Sequence, residues 1–179
     1  MAHAAEVSDG DRPSQFTWGS IGDLLEGRPT LGFDMPVLVY RLFQYTLKDV
    51  LAREVGREKT AELFQAAGHL AGLYFAQNLL DLSGDFDYFI ANLQRSLLDL
   101  KIGVLRVEGA DLASFAFTLT VAEDLDCSGL PVTGETVCSY DEGFIAGILE
   151  AYCGRPFLVR EIDCWASGGR VCRFNVRPR

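Results

Sequence analysis

Cys138, Glu161, Cys164 and Cys172 constrain this 179-residue chain most, because they tie two strands and a helix start to one point. Three thiols and a carboxylate make a four-coordinate set suited to a zinc-type cation, since thiolate sulfur and carboxylate oxygen both suit a borderline-soft d¹⁰ ion. Four protein ligands leave no position for water, so such an ion holds structure and activates nothing. Glu161 and Cys164 stand three apart where a strand enters its turn, and Cys172 returns to the same end across Gly168-Gly169. Cys138 opens a helix, whose positive end favours a thiolate. Asp163 is the alternative to Glu161. On a regular strand it faces away from Cys164, and a bend there lets it compete. Taken singly, each cysteine also suits a buried core position, and Glu161 a solvated strand position.

Periodicity supplies the rest of the layout. Residues 1–30 are polar and punctuated by Gly and Pro, apart from a short amphipathic piece at Ile21, Leu24 and Leu25, and read as a flexible arm. Residues 31–179 read as one domain. Leu38, Leu42, Tyr45, Val50 and Leu51 fall at helical spacing between Met35 and Val55, with Gly56 as a stop. A second helix fits Glu58 to Leu80, and a third runs from about Phe86 to Leu100. Gly68 and Gly72 on the second helix imply close approach of another backbone, in a core crossing or a dimer seam. The period then changes to two, over Ile102–Glu108 and Ser114–Val121, which read as a hairpin. A helix from about Glu135 to Tyr152 stops at Gly154, and Phe157–Asp163 and Val171–Val176 close the chain as strands. The order α-α-α-β-β-α-β-β predicts an α+β domain with an antiparallel sheet.

A chain this long buries roughly 70% of its unfolded surface, so no metal is needed merely to reach a foldable size. The net charge of −9 argues against nucleic acid, whose affinity rests on Lys and Arg. The first 15 residues lack a basic and an apolar signal region, and no apolar run reaches bilayer length, so a soluble cytoplasmic protein is expected. Five cysteines are an odd number, which in a reducing compartment favours metal over disulfides. Cys127 reads as a loop residue and Cys153 as a small core or helix-end residue.

The stretch GETVCSYDEGFIAGILEAYCGRPFLVREIDCWASGGRVCRFNV, from Gly134 to Val176, resembles the end of the 4-vinyl-reductase domain family, also described as a hydrocarbon-binding domain. It is similar to the sensor domains of bacterial activators that respond to phenol and xylene. The resemblance implies zinc on Cys138, Glu161, Cys164 and Cys172. It also implies a fold like that of vesicle-tethering (TRAPP-like) subunits that enclose an acyl chain, and a homodimer packed through the first two helices. The helical half resembles the family in pattern only.

A family pocket between helices and sheet would fall to Phe75, Phe86, Tyr88, Phe89, Phe115, Phe117 and Tyr152, each of which also suits an ordinary core position. The phenol sensors hold the phenol hydroxyl with a His and a Trp. Here the histidines are His3 and His69, the Trp position falls at or next to Phe117, and Trp165 follows Cys164. A more apolar ligand is therefore expected. No dinucleotide fingerprint, P-loop or nucleophile–base set is legible, which points to binding over catalysis. The expected function is a zinc-stabilised domain that senses a small hydrophobic or aromatic molecule and acts through a protein partner. The alternative is an accessory or carrier protein in tetrapyrrole or lipid metabolism.

Overall fold

Where glycine and proline interrupt the helical pattern, the chain turns, and these turns set the architecture. The structure, a computed structural model, describes residues 14–111 and 113–179, so residues 1–13 of the expected arm lie outside the described ones. Two units divide between Asp34 and Met35. In the first, Trp18–Ile21 form a 3-10 turn and Leu24–Gly27 a single helical turn (α1). Asp23 caps α1 by accepting the Glu26 N–H at 2.9 Å.

The second unit contains α2 (Val37–Val55), α3 (Arg57–Leu79), α4 (Phe86–Asp99), β1 (Val104–Asp111), β2 (Ala116–Ala122), α5 (Ser139–Cys153), β3 (Phe157–Asp163) and β4 (Cys172–Pro178). The strands form one antiparallel sheet in the order β1-β2-β4-β3. This is the expected α+β arrangement. The sixth element begins at Ser139, several residues later than its sequence pattern suggests. Pro131 and Gly134, the latter at φ +82°, keep the preceding segment irregular. The N–H groups of Thr133 and Gly134 donate to the Ala166 carbonyl at 2.8 and 3.0 Å, anchoring that segment to the far side of the β3–β4 turn.

Helix α3 lies against α5 at backbone distance. A Cβ at Gly68 or Gly72 would overlap the backbone of Tyr140 or Phe144, and one at Gly143 or Gly147 would overlap that of Gln65 or His69. The small-residue face, one possible dimer seam by sequence, is therefore covered inside the chain. His69 sits on the same contact, its Nε2 2.9 Å from the Glu150 carboxylate.

Helix α4 buries Phe89, Ile90, Leu93 and Leu97, the 3-4 spacing of one apolar face, and Asp85 caps it by accepting the Tyr88 N–H at 2.9 Å. Helix α2 differs. Its apolar residues Leu38 and Leu42 are 76% and 63% exposed, and Gln44 is its buried residue. It docks through polar contacts instead. Arg41 donates to the carbonyls of Leu125, Ser128 and Asp124 at 2.7, 2.9 and 3.2 Å. Tyr40 and Gln44 donate to the Asp126 carboxylate at 2.7 and 2.6 Å. Helical periodicity locates α2 correctly, yet apolarity does not reveal which side docks. No helix among the described residues is long and apolar enough to cross a membrane.

Candidate metal centre and ligand cavity

Four cysteines from four separate places meet in the core. Cys127 sits in the turn after β2, Cys138 at the N-cap of α5, Cys164 just past β3 and Cys172 at the start of β4. All four are at most 1% exposed, and their Sγ atoms lie within 4.8 Å of one another. The Cys138–Cys164, Cys138–Cys172 and Cys127–Cys164 separations are 3.7, 3.8 and 3.7 Å. A tetrahedron of thiolates about 2.3 Å from zinc has edges of about 3.8 Å. Three measured edges fit that figure, and the fourth, Cys127–Cys172, is shorter at 3.0 Å. The donor set therefore fits a four-coordinate soft or borderline cation.

A strand irregularity makes this possible. Glu161 pairs with Phe174, but Asp163 pairs with Arg173, so Ile162 is an extra residue in β3. One step further, the shifted register sets Cys164 against Cys172. On a regular strand Cys164 would alternate to the opposite face, as a one-residue slip reverses every side chain. The turn beyond is held by the Cys164 carbonyl, which accepts from Ser167 and Gly169 at 3.1 and 2.8 Å. Asp163, the sequence alternative to Glu161, instead binds the Cys164 N–H at 3.0 Å and pairs with Arg173 at 3.2 Å.

Glu161 lies at the edge of the thiol group. Its Oε2 accepts the Cys138 N–H at 2.9 Å, while its buried Oε1 has no hydrogen-bond partner. Burial pushes its carboxyl up to about 8. Its own N–H donates to Glu142 Oε1 at 2.8 Å, which ties β3 to the first turn of α5. Hydrogen bonding among the thiols, first with Cys127, pushes Cys138 and Cys172 up and Cys164 down. One thiolate is thereby shared by its protonated neighbours.

By sequence alone Cys127 reads as a loop residue. It does occupy a turn, but α2 clamps that turn inward through Arg41, Tyr40 and Gln44. The signal that could have found it is the Asp124-Leu125-Asp126-Cys127 run, whose Asp124 carboxylate accepts the N–H groups of Asp126 and Cys127 at 2.9 and 3.0 Å. Cys153 stands apart, half-buried at the end of α5.

Beside the thiols lies an apolar cavity of about 40 Å³ between α4, α5 and the sheet. Leu93, Ile145, Leu105 and Val121 contribute to its wall. Of the seven aromatic residues expected there, Phe86 and Phe117 line it, stacked with ring centroids 5.0 Å apart. Phe89 and Tyr152 stack on each other at 3.9 Å outside the lining, and the Tyr152 hydroxyl donates to the Gly84 carbonyl. Phe75 packs edge-on against Phe144, Phe115 meets the Arg155 guanidinium, and Tyr88 is 51% exposed. The two polar lining residues are Asp124 and Asp141. Burial pushes Asp124 up to about 7 and Asp141 well above the carboxylate range. One oxygen of each carboxyl lies within 4.8 Å of the other and of Cys138 Sγ, so cavity and thiol cluster share a wall.

The chain is similar to proteins of Methanocaldococcus jannaschii over different extents. MJ0150 is 27% identical over 160 residues, covering 88% of this chain and 86% of that protein. MJ1642 is 34% identical over 59 residues, covering 33% of this chain, and the match spans little more than a third (37%) of that relative's length. Among solved structures, the fold is shared with the phenol-responsive sensory domain of the transcription activator PoxR (TM-score 0.63, 16% identity, 80% of this chain and 75% of that one). A vinyl-4-reductase family protein from M. jannaschii aligns at TM-score 0.61 and 17% identity, covering 93% of this chain and 99% of that one. A trafficking protein particle complex subunit 3 from Naegleria fowleri aligns at TM-score 0.62 and 11% identity, covering 80% and 94%. Residues 117–178, from the cavity-lining Phe117 through the four clustered cysteines to the end of β4, match the model of the 4-vinyl-reductase domain family, which is the resemblance legible in the sequence.

Proposed function

We propose that this protein is a small-molecule-binding sensor domain whose apolar cavity is braced by a structural zinc ion. The observation that carries the reading is the shared wall between an apolar cavity and a buried four-thiol cluster. Cys127, Cys138, Cys164 and Cys172 would hold the ion, with Glu161 beside them orienting the Cys138 backbone. When bound, zinc supplies a cross-link between β2, α5 and the β3–β4 hairpin, and its four protein ligands leave no open position for water. Glu161 replacing one thiol is the other donor set that the sequence suggests, and its orphaned Oε1 keeps that arrangement testable.

The likeness to a phenol-responsive sensory domain supports sensing over transport. Cavity size supports it too, since about 40 Å³ is far from holding a tetrapyrrole. The signal would leave through a protein partner. We propose that the protein pairs through α2, where Leu38, Leu42 and Phe43 are 76%, 63% and 67% exposed, and that it works in the reducing cytoplasm, where its five free cysteines persist.

Native mass spectrometry of freshly purified protein tests the reading in one measurement. The expected masses are those of a dimer with one zinc per chain and a small co-purified molecule that dissociates on mild activation. A metal-free chain that takes up no apolar probe overturns it.

A further inference from the structure

We infer that the cavity selects a small hydrophobic amine, seated as its ammonium form between Asp141 and Asp124. The inference rests on the ligand-binding reading above and gives that ligand a head group. Apart from these two carboxyls, the cavity wall is carbon: Phe86, Leu93, Leu105, Ile145 and their neighbours bear no side-chain donor and no basic group. A polar head entering this space therefore meets acceptors at one end and nothing polar elsewhere.

Asp141 is the decisive residue. It projects from the first turn of α5, and its Oδ2 is shut off from solvent with no hydrogen-bond partner. Buried polar atoms are nearly always satisfied, and an exception beside a cavity marks a place where something else binds. Asp124 is better satisfied on one side, since its Oδ1 accepts two backbone N–H groups. The charge balance points the same way. The groups acting most strongly on Asp141 are Asp124, Asp126, Glu161 and Cys127, all of which raise its affinity for a proton or another cation. The nearest basic groups face elsewhere: Arg41 is occupied by three carbonyls, and Lys48 donates to the Val137 carbonyl at 2.8 Å.

Geometry distinguishes the head groups. A carboxyl oxygen of Asp141 lies within 4.8 Å of one of Asp124. Two charge-assisted N–H···O bonds of about 2.8 Å, diverging at the tetrahedral angle, span roughly 4.6 Å. An ammonium nitrogen bridges that gap with two of its three donors. A hydroxyl has one donor and leaves one carboxyl unpaired, and a hydrocarbon leaves both. The volume corresponds to about three water sites, which suits a short or branched body.

The test titrates zinc-loaded full-length protein with isobutylamine, isobutanol and isopentane, which share size and shape and differ in the head. Affinities come from amide and methyl NMR shifts. Isobutylamine is expected to bind about tenfold more tightly than isobutanol, with shifts centred on Asp141, Ile145 and Leu93. Asp141→Asn is expected to bring the two affinities to parity. Should that variant not fold, the wild-type series decides alone. If isobutanol or isopentane binds as well as isobutylamine, the amine assignment falls and the cavity reading stands. If none of the three binds, both fall. A second zinc equivalent that Asp141→Asn removes, with no uptake of isobutylamine, assigns the acidic end to a metal ion and overturns the inference.

Discussion

Cys127 Sγ lies 3.0 Å from Cys172 Sγ although 45 positions separate them in the chain. The contact joins the turn after β2 to the first residue of β4. It predicts the order in which substitutions release metal. Cys127→Ser is expected to lower zinc content as far as Cys164→Ser does, because either leaves a three-thiol site. Glu161→Gln keeps the hydrogen-bonding shape beside Cys138 and is expected to retain about one equivalent. Elemental analysis after dialysis against a mild chelator checks this. Full retention in Cys127→Ser with loss in Glu161→Gln would make the carboxylate the fourth ligand.

The extra residue in β3 makes a separate prediction. Deleting Ile162, which is 49% exposed and contributes little to the core, restores regular pairing between β3 and β4. That slip turns Cys164 away from Cys172. The variant is expected to keep its circular-dichroism spectrum and to bind zinc far more weakly than the parent. Unchanged zinc affinity would show that the bulge does not aim Cys164.

Arg41 fixes the position of Cys127 indirectly. Its guanidinium reaches three carbonyls of the Asp124–Ser128 segment, a fan that the single ammonium of lysine does not reproduce. Arg41→Lys is expected to cost about 1–3 kcal/mol of stability. Faster hydrogen exchange should appear in α2 and in residues 124–128, with α4 unaffected. Uniform acceleration over the whole domain would argue for a general loss of stability and no local clamp.

These cases show why some of the molecule was legible in the sequence and some was not. Element order followed from periodicity and from the stops at Gly56 and Gly154, because local backbone preferences act over a few residues. Cys138, Cys164 and Cys172 were singled out by spacing around a helix start and a hairpin. Cys127 was not, since its inward position depends on Arg41, Tyr40 and Gln44, more than 80 residues away in sequence. The aromatic residues were harder still. Phe86 and Phe117 line the cavity while Phe89 and Tyr152 stack nearby, and strand or helix spacing does not distinguish a lining ring from a packed one. Asp124 and Asp141 carry no local motif, and their meeting depends on how α5 sits over β2.

The crossing of α3 and α5 supplies a stability test. Gly68→Ala places a methyl group against the backbone of Tyr140, where no side chain can move aside. The helices must separate, at a cost of about 1–3 kcal/mol or more. Gly27→Ala, at an open position, serves as the control. Equal melting temperatures for the two variants would contradict the close crossing.

Stability should also depend on pH in a direction set by Asp124. Burial, and next the charge of Asp126, pushes its carboxyl up to about 7, whereas an unfolded aspartate titrates near 3.9. Between those values the folded chain keeps a proton that the unfolded chain has released, so stability falls as pH rises across the window. Glu161, pushed up to about 8 by burial, acts in the same sense and extends the decline. Metal binding runs the other way, because thiols lose protons when they ligate, and zinc affinity therefore rises with pH. Chelator-treated protein is expected to melt at its highest temperature near about pH 5 and progressively lower towards about pH 8. Asp124→Asn should flatten that slope. The gap between zinc-loaded and chelated melting temperatures should widen over the same range. Paired thermal melts with and without chelator measure both trends, and a chelated protein that grows more stable with rising pH would contradict the burial of these two acids.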